Sequence, residues 1–330
     1  MTTQTNDDPP SPDPSQPGPA RSLPRSLVKL ARPKQWAKGV FVLVGPAAGY
    51  ADGQPVDWLA VALAFAAFAL ASSGCYVIND LRDREADRLH PRKRHRPIAS
   101  GAVTPSQSII FAWALFAAAA LACVPIAFAG GWAAMGLTLG VVALYVVNTT
   151  AYSLGLKQVG LLDVMSLSAG FVLRVLGGCA AAAVDPSTWL LNCTFFLSMY
   201  LAFGKRFAER RTLGADATRA RGVQAFYTDD MLRMVVVMTA VATLVVYAGY
   251  VQDRATGYAI GDLSVGFNLL WLTILPATFA LLRSIALVER GEYDDPTELA
   301  YGDRPFQAAV ALFGVLIVVA TLAAESGGVA

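Results

Sequence analysis

Apolar residues fill this chain in long unbroken runs, and the polar residues are gathered between them. A run of roughly 20 apolar residues is long enough to cross a bilayer as a helix. Such runs fall near 36–50, 57–79, 105–128, 131–149, 162–183, 187–205, 231–251, 265–288 and 306–323. The first is short and holds Pro46, which predicts a tilted or broken span. No stretch alternates with the period of a membrane barrel, and backbone groups in lipid must then be satisfied within helices. The expected fold class is therefore all-α, a polytopic membrane bundle of about nine helices. Ahead of the runs, residues 1–24 are rich in Pro, Ser and Asp and lack an apolar core. They read as a disordered cytoplasmic tail rather than a signal peptide, leaving 25–330 as one transmembrane domain.

Composition agrees with the pattern: 55% of the residues are hydrophobic, too many for a soluble globular protein of this length. The distribution of charge says more than its sum. With the N-terminus inside, the outer loops are 51–56, 129–130, 184–186 and 252–264. Of 26 Lys and Arg, only Arg254 falls in an outer loop and only Arg174 lies deep in a span. That asymmetry predicts a multi-pass plasma-membrane protein whose chemistry faces the cytoplasm. No nucleic-acid partner is expected. Cys75, Cys123, Cys179 and Cys193 all lie in apolar runs without paired spacing, and read as packing residues.

The densest polar stretch runs from Asn79 to Gly101, where one apolar run stops and before the next begins. If the helix continues past Asn79, then Asn79, Asp83 and Asp87 come at i, i+4 and i+8, on one stripe. Such a ladder of hard oxygens suits Mg²⁺, which takes few carboxylates and shares its shell with substrate phosphates. Arg92, Lys93, Arg94 and Arg96 follow, suited to the phosphate oxygens that a metal leaves free. Metal ligands followed by cations predict a diphosphate site. Positive-inside bias alone would explain the arginines but not the spaced acids.

Other candidates lie on the same side. Lys34 and Lys38 flank Trp36 before the first span, either as an interfacial anchor or as a grip on a lipid phosphate. Tyr152 and Lys157 belong to a short turn in which Lys157 is the single cation. Asp163 and Arg174 are eleven residues apart, close to three turns, and share a face. They form a structural ion pair, or Arg174 lines a polar chamber, since an intramembrane Arg needs a partner or water. Lys205 and Arg206 close the sixth span in Gly204-Lys205-Arg206-Phe207-Ala208-Glu209, either as a basic flank or as a second anion site. Tyr227, Asp229, Asp230, Asp294, Asp295, Glu298, Asp303 and Arg304 read as surface loops or lid elements. No Walker loop, nucleophile elbow or zincin helix is present.

The stretch from Asn79 to the Arg96-Pro97-Ile98-Ala99-Ser100-Gly101 tail resembles the Asn/Asp-x-x-Asp-x-x-x-Asp motif of the UbiA-type intramembrane prenyltransferases. That resemblance covers nearly the whole membrane core and implies nine helices around a chamber in which Mg²⁺ holds a diphosphate donor. Typical members carry a second Asp-rich motif after the sixth helix, where this chain has Gly204-Lys205-Arg206. In that respect, and in Arg32–Lys38 and Asp303-Arg304, the chain is similar to the decaprenyl-phosphate phosphoribosyltransferase branch. The branch implies transfer of phosphoribose from phosphoribosyl pyrophosphate (PRPP) to a polyprenyl phosphate for cell-wall arabinan synthesis. Asn79, Asp83 and Asp87 would then hold Mg²⁺. Lys93, Arg94, Arg96, Lys205 and Arg206 would bind phosphates, with Lys34, Lys38, Tyr152, Lys157 and Arg174 as further substrate contacts. The rivals are an ordinary prenyltransferase acting on an aromatic or glycerol acceptor, and a lipid carrier. Gly-rich spans are compatible with a homo-oligomer.

Overall fold

The computed structural model describes residues 22–91, 93–213, 222–254, 259–260, 267–292 and 302–326. Eleven α-helices follow one another among them: α1 (Leu23–Ala31), α2 (Val40–Ala51), α3 (Trp58–Arg82), α4 (Arg84–Leu89), α5 (Pro105–Cys123), α6 (Ile126–Leu154), α7 (Leu162–Ala182), α8 (Thr188–Leu213), α9 (Asp229–Asp253), α10 (Ile274–Glu289) and α11 (Arg304–Ser326). The expected all-helical class holds apart from one small addition. Ala259–Ile260 and Phe267–Asn268 pair antiparallel as a two-residue ladder between α9 and α10. The greater part of the expected tail, up to residue 21, lies outside the described residues, and α1 already begins at Leu23.

Seven helical segments among the described residues are by themselves long and apolar enough to span a membrane. Two of the nine expected spans are missing from that set, for different reasons. Trp36 to Tyr50 is not one helix. Pro33–Gly39 winds as a 3₁₀ helix and passes into α2 at Val40, so the break precedes Pro46, which sits inside α2. Seven 3₁₀ residues rise about 14 Å and twelve α residues about 18 Å, together close to the hydrocarbon thickness. The α8 helix is long enough, but Asn192, Thr194 and Ser198 dilute its apolar run.

The polar stretches after α3 and α6 meet at one end of the bundle, where Lys157 pairs with Asp83 and Arg96 with Asp87. Helix starts are capped as their sequences dictate. Asp57 accepts from the amides of Leu59 and Ala60 at 2.8 and 3.1 Å, and Thr104 and Gln107 form a reciprocal capping box on α5. At the opposite end Arg254 pairs with Asp52 and stacks on Tyr250.

Two apolar cores share one helix. The first joins α2, α3, α5, α6 and α7 around Phe68 and Tyr145; the second joins α7 to α8, α9 and α10 around Phe203 and Tyr227. The closest approach is that of α2 to α7, where a Cβ on Gly178 would lie 1.9 Å from the Val42 carbonyl. Of the seven candidate spans among the described residues, α3 and α7 are mostly enclosed, each 61% buried over its span against 28% or less for the other five. The outer helices turn Trp113, Phe128 and Leu154 outward, as expected of faces that meet lipid. All four cysteines are unpaired.

Candidate active site

The charged end of α3 keeps the spacing read from the sequence, although the helix itself stops. Asp83 caps α3 with φ −83° and ψ 3°, and α4 restarts at Arg84. The amide of Asp83 still donates to Asn79 at 2.9 Å, and that of Asp87 to Asp83 at 2.8 Å. Asn79, Asp83 and Asp87 thus remain on one stripe, in three environments. Asn79 lines an internal cavity and donates to Asp83 Oδ2 at 3.2 Å. Asp83 is partly open to solvent, with both oxygens 2.9 Å from Lys157 Nζ. Asp87 is buried and accepts from Arg96 at 2.7 Å.

A third carboxylate, unassigned in the sequence reading, organises the cations. Asp80 is buried and accepts from Arg32 at 2.5 Å and from Arg96 at 3.1 Å. Asp80, Asp83 and Asp87 come at i, i+3 and i+7, which is also a helical stripe, and that spacing was the available signal. Arg96 thereby bridges Asp80 and Asp87, and Arg32 stacks over Tyr76 with its guanidinium carbon 5.0 Å from the ring centre.

The cavity behind Asn79 has a volume of about 180 Å³ and is lined by side chains from the 3₁₀ segment, α3, α6 and α7. Lys38, Tyr152 and Arg174 all reach it. Arg174 donates to the Gly170 carbonyl at 3.0 Å and to Tyr145 Oη at 2.7 Å, and lies over the Tyr145 and Phe171 rings at 4.5 and 5.4 Å. Among the described residues no carboxylate pairs with it. A buried cation held only by neutral groups and π-faces is costly until an anion arrives. Of the two readings open for Arg174, the chamber-lining one is observed.

Asp163 instead belongs to a separate buried network. Arg206 Nε donates to Asp163 Oδ2 at 3.1 Å and its Nη1 to Glu209 at 3.0 Å, while Gln224 donates to the Arg206 carbonyl and to Glu209 at 3.3 and 3.1 Å. Tyr227 donates to Asp163 Oδ1 at 2.5 Å and accepts from the Leu161 amide at 2.8 Å. Burial, and then the bond that fixes its proton on Asp163, push the Tyr227 phenol above its ordinary range. Arg206 does not line the cavity, and carboxylates inside the bundle already take its Nε and Nη1. Tyr227, read as a surface-loop residue, is almost wholly buried.

The remaining candidates spread around the mouth. Lys34, Lys93 and Arg94 are exposed, and Lys205 is half-buried; none of the four lines the cavity. Trp36 donates to Ser73 Oγ at 3.0 Å, so its indole N–H is bonded to α3. Asp303 clasps Arg283 through both oxygens at 2.6 and 2.8 Å and caps α11 at Phe306. Arg92, Asp294, Asp295 and Glu298 lie outside the described residues.

The donor set suits a hard divalent cation. Two carboxylates and an amide stand on one stripe, of which Asn79 lines the cavity, and the ammonium equidistant from both Asp83 oxygens already marks a position for positive charge. No group of three His, Cys, Asp or Glu among the described residues forms a complete cage. The arrangement is thus one in which phosphate oxygens and water would complete the shell.

Known proteins resemble this chain in sequence and in fold. The model of the UbiA prenyltransferase family matches residues 39–302. The chain is 36% identical over 298 residues to the decaprenyl-phosphate phosphoribosyltransferase of Mycolicibacterium smegmatis, covering 88% of this chain and 90% of that one. It is 32% identical over 293 residues to the Mycobacterium tuberculosis protein of the same name, covering 88% and 92%. In fold it is similar to a UbiA homologue of Archaeoglobus fulgidus solved with GPP and Mg²⁺, with a TM-score of 0.63 at 14% identity over 91% of this chain and 98% of the other.

Proposed function

The chain belongs to the UbiA prenyltransferase family, and from that premise we propose that it transfers 5-phosphoribose from PRPP to decaprenyl phosphate, releasing pyrophosphate. The observation that carries this reading is the extent of the likeness to the two phosphoribosyltransferases, which runs through both halves of the bundle. The absence of a second acidic ladder at the end of α8 supports it, since Gly204-Lys205-Arg206 stands there. The bundle crosses the membrane nine times, counting the 3₁₀–α2 segment and α8, and its charged end faces the cytoplasm, as the Lys and Arg bias supports. The product would serve cell-wall arabinan synthesis.

Asn79, Asp83 and Asp87 would hold Mg²⁺, which when bound neutralises charge on the pyrophosphate as it leaves. The chain's own groups do the rest. Lys157 and Arg96 rest on Asp83 and Asp87 in this structure and would turn to phosphate oxygens of the donor. Arg174, Lys38 and Tyr152 receive the anionic sugar in the cavity, where Arg174 lacks a carboxylate partner among the described residues. Lys34, Lys93 and Arg94 draw anions to the mouth, and Lys205 contacts one of the substrate phosphates. The acceptor oxygen attacks ribose C1 as the C1–pyrophosphate bond breaks. That oxygen is already anionic at neutral pH, so no histidine base is needed.

The test offers detergent-solubilised protein with Mg²⁺ either labelled PRPP plus decaprenyl phosphate, or labelled prenyl diphosphate plus an aromatic or glycerol acceptor. Label in the lipid from PRPP is expected. Transfer from prenyl diphosphate alone would overturn the reading in favour of an ordinary prenyltransferase.

A further inference from the structure

We propose that Tyr227 is a positioning residue for Lys157: its hydroxyl pins the turn between α6 and α7, and so holds the ammonium against Asp83. The inference rests on the reading of Lys157 as a ligand of the pyrophosphate group. Lys157 sits in a single 3₁₀ turn, Leu156–Gln158, between Gly155 at the end of α6 and Leu161 before α7. The Gly155 end is fastened by its amide to Ala151 at 3.0 Å. At the other end Leu161 has φ 67° and ψ −46°, a backbone conformation that a residue with a side chain rarely adopts without outside support.

That support comes from 66 residues further along the chain. The Leu161 amide donates to Tyr227 Oη, and the same hydroxyl donates to Asp163 in the first turn of α7. One hydroxyl therefore bridges the strained residue and the helix that follows it. A second contact reinforces the first. The Phe226 ring packs so closely on Gly160 that a Cβ there would lie 2.2 Å from it. Asp163 is in turn fixed by Arg206. The basic cluster in the last turns of α8, which the proposed reaction leaves without a substrate contact at Arg206, acquires a role here. It holds Asp163, which orients the Tyr227 hydroxyl, which holds the turn.

A competing account makes Tyr227 a core residue alone, since its ring packs edge-on against Phe203 and Phe226. Tyr227→Phe keeps the ring and removes both hydroxyl bonds, so it separates the two accounts. Inorganic pyrophosphate with Mg²⁺ is the probe, its affinity measured by calorimetry, because either enzymatic reading of the site releases it. Tyr227→Phe should weaken its binding on the order of tenfold, and add less than about twofold when Lys157→Ala is already present. Hydrogen exchange should show the Leu161 amide slow in the parent protein and fast in Tyr227→Phe, with mid-α7 amides unchanged. Additive effects of the two substitutions, or a Leu161 amide that exchanges freely in the parent, would overturn the proposal. The parent measurement decides even if the variant does not fold. A protein that binds pyrophosphate in this way yet transfers nothing from PRPP would refute the phosphoribosyl reading and leave the positioning role standing.

Discussion

The ends of α3 and α8 carry the same ingredients, carboxylates and cations one helical turn apart at a membrane edge, and the structure uses them in opposite ways. At α3 the cations reach the carboxylates from outside the helix: Lys157 from the α6–α7 turn, Arg96 from the loop before α5 and Arg32 from the segment after α1. The Asp83–Lys157 pair keeps 30% and 21% of its side-chain surface open, beside a cavity, and can exchange partners. At α8 the Arg206–Asp163 pair keeps 3% and 0%, and two further residues hold it. Charge at a helix end is thus not itself a site. A site needs ions that an incoming anion or metal can separate, and a buried, fully bonded pair resists that because separation leaves a desolvated charge behind.

The comparison breaks most visibly at α3. Asp83→Asn or Asp87→Asn should lower transfer by on the order of 10³ or more, since each removes charge from the proposed metal ladder. Membrane insertion and the unfolding midpoint of the Asp83 variant should stay near those of the parent, because Asp83 is partly exposed. Activity is read with labelled PRPP across a Mg²⁺ titration. Near-normal turnover in either variant, or in excess EDTA, would remove the metal from the account.

At α8 the corresponding break should strike stability first. Arg206→Met leaves Asp163 buried without its cation, a loss of about 3–5 kcal/mol for such a pair. A lowered unfolding midpoint in detergent is the readout, and restoring a neutral partner set with Arg206→Met plus Asp163→Asn should recover part of it. If Arg206→Met instead folded as the parent does and lost only substrate affinity, Arg206 would return to the phosphate-binding set.

These two sets of variants also mark where the sequence was readable. The stripe Asn79, Asp83 and Asp87 was legible because helical spacing lies within one element and survives the stop at Asp83. Arg174 was legible because an arginine deep in an apolar run demands a wet or anionic neighbour. The fate of Arg206 was not, since a basic flank reads alike whether it meets solvent or an aspartate 43 residues away. Asp80 and Tyr227 were hidden for the same reason: their partners come from other elements, at separations of 48 residues to Arg32 and 64 to Asp163. The first span was misjudged at its break, because a change from 3₁₀ to α winding leaves no mark as plain as a proline.

Lys205, half-buried beside Arg206, sharpens the comparison within α8 itself. Its neighbour is committed inward, so any direct contact of this cluster with substrate falls to Lys205. Lys205→Ala should weaken binding of one substrate by about 1.5–3 kcal/mol, the range of a charge-assisted hydrogen bond, with the unfolding midpoint unchanged. Lys205→Asp should weaken it further by adding repulsion to the lost attraction. Varying PRPP and decaprenyl phosphate in turn identifies which KM moves. Parent-like values for both in Lys205→Asp would make the α8 end wholly structural.

The smallest effect is expected where exposure matches that of Asp83 but the cavity is absent. Glu289 closes α10 and accepts from Arg211 and from Arg233, each at 2.8 Å, with 29% of its side chain open. By exposure and pairing it could be exchanged as readily as Asp83. It differs in place: it joins α8, α9 and α10, on the far side of α7 from Asn79 and Arg174, and it does not line their cavity. If displaceable ions make a site only where they border the chamber, Glu289→Gln should keep transfer within about twofold of the parent, as for other exposed ion pairs. The measurement is kcat/KM for PRPP at low and high salt, because screening should mimic the substitution for Glu289 and not for Asp83. A loss in Glu289→Gln approaching that of Asp83→Asn would place a second anion site across α7, and exposure rather than position would then be the rule.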